Sequence, residues 1–126
     1  MSTAKGYLLV FMGAGIGGAL RHFVNRMALT STGSFPWSTL TVNVTGSLVM
    51  GAIAGWFAFR SNVASQQMAL FLTTGVLGGY TTFSAFSLDA VLLWERGDVR
   101  GAAVYVAGTV VLSIAALFAG LSAMRT

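Results

Sequence analysis

The chain has 126 residues, of which 56% are hydrophobic and only 8% charged, with a net charge of +4. A soluble domain carries about 25% charged residues, so this composition excludes a water-soluble fold and points to one membrane-embedded unit. There is no cysteine, which removes disulfide frameworks and thiolate metal sites. The cations Lys5, Arg21, Arg26, Arg60, Arg96, Arg100 and Arg125 are dispersed, mostly at the ends of apolar runs. Cations so placed meet anionic lipid headgroups and do not form a nucleic-acid surface.

In chain order, a first spanning helix is expected over residues 7–29, with Arg21, His22 and Arg26 near its end. A signal peptide would share its basic start and short apolar core, but cleavage would leave an odd number of spans. Gly13 and Gly17 form a small-xxx-small pair that lets a neighbouring helix approach closely. Residues 30–36 (TSTGSFP) read as a turn containing the single proline. Residues 37–59 carry no charge and exceed the about 20 residues a span requires. Trp37 and Trp56-Phe57 sit near its two interfaces, Arg60 closes it, and Gly51 with Gly55 makes a second close-packing pair. Residues 61–67 read as a short polar linker, 67–94 as a third span, ERGDVR at 95–100 as a turn, and 101–124 as a fourth span. Four spans joined by short loops put both termini on one side.

Lys5, Arg60 and Arg125 then fall on that side, and Arg26, Arg96 and Arg100 on the other, with Arg21 close to them. Loop lysine and arginine normally set orientation, and here they nearly balance. Two readings stand: a weak bias resolved by other signals, or insertion in both orientations followed by pairing of opposite copies. An enclosed path also argues for an oligomer, because four helices hardly surround a pore while packing their own glycine faces.

The third span holds the stretch around which the rest is organised, GVLGGYTTFSAFS at residues 75–87. Glycine costs about 1 kcal/mol relative to alanine within a helix, and β-branched threonine lowers propensity further. Gly78-Gly79 followed by Tyr80-Thr81-Thr82 therefore predicts a break at mid-membrane depth. Lipid cannot bond the freed backbone groups, so such a break must be enclosed by protein, lined by water or occupied by an ion. That makes it the candidate site.

Around it, Thr39, Asn43 and Ser47 recur at four-residue steps and share a helical face. Tyr105, Thr109 and Ser113 repeat the pattern on the fourth span, so two polar stripes read as two walls of a path. Membrane serines and threonines also bond their own backbone. Asn43, with two donors and two acceptors, is either interhelical glue or a ligand for something in transit. Phe83 and Phe86 face the same way, with Ser84 and Ser87 one position further round. Paired phenylalanines usually just pack, but the positive edge of an aromatic ring could hold an anion weakly, as conduction requires. Arg21 either snorkels to headgroups or raises the potential at an aqueous mouth. Asp89 is the one acid near a span, and the lone His22 has no partner at metal-ligand spacing. Catalytic equipment is missing from this inventory, and an enzyme is not expected.

Taken together, residues 17–21 (GGALR), 39–46 (TLTVNVTG) and 75–87 (GVLGGYTTFSAFS) resemble the Fluc (CrcB) family of fluoride channels. The resemblance covers essentially the whole chain. It implies an all-α, multi-pass protein of the bacterial inner membrane: four transmembrane helices with a break in the third, assembled as an antiparallel, dual-topology homodimer. It further implies two separate fluoride pathways, lined by ring edges of Phe83 and Phe86 and by an Asn43 donor, with Thr39, Ser84, Tyr105, Thr109 and Ser113 along the path. Arg21 would sit near the vestibule. The backbone carbonyls of Gly78 and Thr81, from both copies, would enclose a structural sodium ion. Ala85 stands where many members carry a hydroxyl.

Two other classes compete. A small multidrug-type, proton-coupled exporter also has four spans, but needs an acid well inside the first span, and residues 7–29 hold none. A non-transporting scaffold would need only the glycine pairs.

Overall fold

The computed structural model describes residues 2–28, 35–60 and 62–125. Its elements are α1 (Thr3–Ala28), α2 (Trp37–Phe57), α3 (Val63–Leu70), a π-helical segment (Phe71–Leu77), α4 (Gly78–Tyr80), α5 (Phe83–Glu95) and α6 (Val99–Arg125). They make four helical stretches long and apolar enough to cross a bilayer, α3 to α5 forming one of them. The shortest, with 21 residues, reaches about 30 Å at 1.5 Å per residue, the thickness of the hydrocarbon layer. Most of the turn expected over 30–36 lies outside the described residues, which resume at Phe35.

Local chemistry sets the helix ends. α3 starts at Val63, inside the stretch read as a linker, because Asn62 caps it: its Oδ1 accepts the Ser65 N–H at 2.8 Å. Ser65, Gln66 and Gln67 are therefore helical, despite their polarity. After α5, Gly97 takes a positive φ of 84°. The Gly97 N–H reaches Trp94 O and the Asp98 N–H reaches Leu93 O, each at 3.0 Å, the glycine-terminated closure common at helix ends. Asp98 then caps α6 by accepting the Gly101 N–H at 2.8 Å. One six-residue turn thus stops one span and starts the next.

Both glycine pairs meet helices, as the spacing predicts. A methyl on Gly51 would strike the Leu117 carbonyl, and one on Gly55 would lie 2.8 Å from the Leu121 carbonyl. Gly120 on α6 answers by abutting the Leu48 carbonyl. On the other side, a methyl on Gly13 would lie 2.8 Å from Gly75 Cα, and one on Gly17 2.8 Å from Tyr80 N. Two tight pairs result: α2 with α6, and α1 with the third span. Gly55 also approaches the Arg125 backbone, which places Arg60 and Arg125 at one end of the bundle.

A small core of Phe86, Leu93, Ala102 and Tyr105 joins α5 to α6, with Phe35, Leu40 and Ala90 against it. Elsewhere large apolar side chains such as Tyr7, Phe11, Phe23 and Phe118 point outward, as they do on a surface solvated by lipid.

The third span is interrupted, but not at the glycines. Gly78, Gly79 and Tyr80 remain helical, and the extended residues are Thr81 (φ −83°, ψ 156°) and Thr82 (φ −150°, ψ 120°). The glycines serve contact: Gly79 packs on the backbone of Ala14, where a side chain would collide. Propensities measured in water overstate glycine as a breaker where a neighbouring helix needs the space.

Candidate functional site at the helix break

Two threonines shape the interruption. The Thr81 hydroxyl and N–H both return to Leu77 O, at 2.9 and 3.0 Å, closing the preceding helix. Thr82 starts the next one, its Oγ1 accepting the Ala85 N–H at 3.1 Å, the usual role of an N-cap threonine.

Two other helices hold the interruption from either side. From α2, Asn43 pairs twice with one residue: its Nδ2 donates to Thr82 O at 3.0 Å and its Oδ1 accepts the Thr82 N–H at 2.9 Å. From α1, Arg21 Nε donates to Gly79 O at 3.2 Å. Gly46 makes room on α2, since a methyl there would collide with the Thr81 side chain. Thr45 and Tyr80 share a hydroxyl hydrogen bond of 3.0 Å.

These bonds leave a pattern. The helical partner of the Gly78 carbonyl would be the Thr82 N–H, which is taken by Asn43. The partner of the Thr81 carbonyl would be the Ala85 N–H, which is taken by the Thr82 hydroxyl. Both donors are diverted to side chains, so these two carbonyls lose their helical partners. Among the described residues no cluster of three His, Cys, Asp or Glu side chains forms a metal site, so a cation at the break would have to rely on oxygens of this kind.

Beside the break opens a cavity of about 400 Å³ whose lining includes Asn43, Ser47, Phe83, Phe86, Thr109 and Ser113. Thr109 Oγ1 and Ser113 Oγ are buried there with no hydrogen-bond partner. An unsatisfied buried hydroxyl costs about 1–3 kcal/mol, so these two are the polar atoms of the lining that packing leaves unsatisfied. Asn43 spends one amide hydrogen on Thr82 and keeps the other. The lining carries no charged side chain; amide and hydroxyl donors beside aromatic rings suit a small anion held loosely.

The residues expected along a path do not all gather here. The two rings lie 5.5 Å apart between centroids and both line the cavity, yet Phe86 is 7% exposed and Phe83 77%. One ring is built into the core and the other stands on the lip. Ser84, exposed, lies 3.3 Å from the Thr82 hydroxyl. Thr39 and Tyr105 fall outside the cavity lining. Tyr105 is fully buried, its ring tilted against Phe86 with centroids 5.2 Å apart, and it donates to Asp89 Oδ2 at 3.2 Å. Thr39 is buried beside the same phenol. The polar stripes are thus real as faces but divide along their length: Asn43, Ser47, Thr109 and Ser113 line the cavity, while Thr39 and Tyr105 are buried in the core. Sequence reasoning missed the Arg21–Gly79 and Tyr105–Asp89 bonds, whose partners lie 58 and 16 residues apart.

Comparison with known proteins adds an independent line. A family model described as "CrcB-like protein, Camphor Resistance (CrcB)" matches residues 8–121, so the first span is part of the shared domain. The chain is 60% identical over 120 residues to the fluoride-specific ion channel FluC of Rhodopseudomonas palustris, covering 94% of this chain and 96% of that one. It is 56% identical over 120 residues to fluoride-specific ion channel FluC 2 of Nitrobacter hamburgensis, with coverage of 94% and 96%. Against the FluC of Methylobacterium nodulans it is 55% identical over 118 residues, with 94% of each chain covered. With its four apolar helices, its interrupted third span and a match over nearly its full length, the chain belongs to the CrcB-like family.

Proposed function

We propose that this protein is a passive, fluoride-selective channel that lets fluoride leave the cytoplasm through the bacterial inner membrane. The observation that carries the reading is one uncharged cavity lined by Asn43, Phe83 and Phe86 together with Thr109 and Ser113, whose buried hydroxyls have no hydrogen-bond partner. The names of the relatives supply the ion.

Hydrogen fluoride crosses membranes neutral, dissociates inside and is trapped as the anion. A passive pore lets the negative membrane potential drive that anion out. The free Asn43 N–H and the orphaned hydroxyls replace water around it, and the ring edges of Phe83 and Phe86 add weak positive potential. A narrow lane with few donors favours the smallest halide.

The same reading pairs two antiparallel copies with two pathways. Near-balanced cations at the two ends support it, as does Phe83, which stands exposed on the cavity lip where a second copy would cover it. The carbonyls of Gly78 and Thr81, stripped of helical donors, fit a hard cation; contributed by both copies, they would hold a structural sodium ion that ties the two breaks together. A proton-coupled exporter is disfavoured: α1 carries no acid, and Asp89 accepts a hydrogen bond from Tyr105.

Fluoride release from liposomes containing the purified protein tests the channel. Rapid fluoride flux with no chloride flux is the expected result; equal chloride flux would sink it. Crosslinking between opposite ends of two copies tests the antiparallel pair.

A further inference from the structure

We propose that Arg21 is a positioning residue: its Nε–H fastens the helix break through the Gly79 carbonyl, and this bond, not its charge, is what fluoride passage requires. The inference rests on the channel reading above and names a residue that shapes the site without lining its cavity.

Ala14, Gly17 and Arg21 lie three and four residues apart, on one face of α1. Gly17 and Ala14 press against Tyr80 and Gly79, so this face is held against the third span just where the helix ends. Arg21 follows one turn on, and its side chain arrives at Gly79 O at 3.2 Å, partly buried.

That carbonyl needs a donor. Its helical partner would be the N–H of Phe83, which opens α5 beyond the extended pair Thr81–Thr82 and no longer lies on the same helix. Membrane lipid offers nothing in its place. Arg21 therefore takes Gly79 out of the set of free carbonyls, while Asn43 fixes Thr82. Two clamps from two helices define where the chain stops being helical, and the carbonyls of Gly78 and Thr81 are among those left without helical donors.

The bond also runs through an informative atom. It uses Nε, the nitrogen nearest the stem, and not the tip of the guanidinium. Glutamine places its Nε2 at the same position along the side chain, with no charge. Lysine places a methylene there and carries its charge one atom further out. These substitutions separate donor from charge, which alanine does not.

The test compares the full-length wild type with Arg21→Gln, Arg21→Lys and Arg21→Leu. Initial fluoride efflux from liposomes is measured against fluoride concentration at low and high ionic strength, and amide hydrogen exchange is followed over residues 78–83. Fastening predicts that Arg21→Gln keeps most of the wild-type maximal rate and the amide protection. Arg21→Lys and Arg21→Leu should lose about tenfold or more in both, the cost of leaving one carbonyl at the break without a donor. Raising the salt should leave the ranking unchanged. The inference is overturned if Arg21→Lys matches wild type while Arg21→Gln falls to the level of Arg21→Leu with a salt-sensitive rate, because charge then suffices. It is also overturned if all three variants fall equally, or if none alters exchange at the break. A wild type that passes no fluoride refutes the channel reading alone, since the exchange comparison still judges the fastening.

Discussion

The carboxamide of Asn43 pairs with the backbone of Thr82 much as a neighbouring strand would, giving one hydrogen bond of 3.0 Å and taking another of 2.9 Å. A side chain here does what lipid cannot, and so permits two extended residues inside a membrane-spanning helix. Removing it leaves a part-buried N–H and C=O without partners, at up to about 1–3 kcal/mol each. Asn43→Ala should therefore lower thermal stability in detergent and abolish fluoride efflux together. Asn43→Asp keeps the acceptor but turns an oxygen toward Thr82 O, and should fare no better in efflux.

The orphaned hydroxyls predict the opposite pairing of effects. Thr109→Val and Ser113→Ala each remove a buried oxygen that has no partner, so stability should hold or rise, by up to about 1–3 kcal/mol where the whole desolvation cost is recovered. Fluoride efflux should nevertheless fall severalfold. Unfolding midpoints and liposome flux on the same preparations check both halves.

Tyr105 behaves differently although it lies on the same stripe. Its hydroxyl bonds Asp89 at 3.2 Å within the core. Tyr105→Phe should cost about 1–2 kcal/mol, near the top of the range for a single hydrogen bond because it leaves the carboxylate short of a donor. An unfolding titration reads this directly, and a stability change close to zero would mean that the Asp89 bond adds nothing to the core.

Glycines sort by what they face. Gly51→Ala would drive a methyl into the Leu117 carbonyl on α6, and overpacking of this kind costs about 1–3 kcal/mol. Gly108→Ala meets nothing within 4 Å and should be neutral or slightly stabilising, as alanine favours helix. Comparing the two in one denaturation series isolates contact from propensity.

Much of this was legible from residues alone. The spans were visible as uncharged runs, and the pairs Gly13/Gly17 and Gly51/Gly55 each met a helix. The break was placed within a few residues, from Thr81 and Thr82 among others. What spacing could not supply was the long-range bonding: neither the reach of Arg21 to Gly79 nor that of Asn43 to Thr82 leaves a periodic trace. The role of Gly78-Gly79 was misjudged for a definable reason. A helix packed on a neighbour gains more from the space a glycine leaves than it loses in propensity. Tyr105 shares a face with Thr109 and Ser113, as four-residue spacing predicts, but only the latter two line the cavity.

The π-helical segment Phe71–Leu77 carries one more consequence. Its final bond runs from the Gly78 N–H five residues back to Thr73 O, the signature of a helix that has absorbed an extra residue. Dropping a residue from this stretch should restore the ordinary pitch and leave both flanking faces aligned. The same deletion elsewhere in a span would rotate everything downstream by about 100°. A residue lost from this stretch should therefore disturb the register of the flanking helical faces less than the same loss elsewhere in a span.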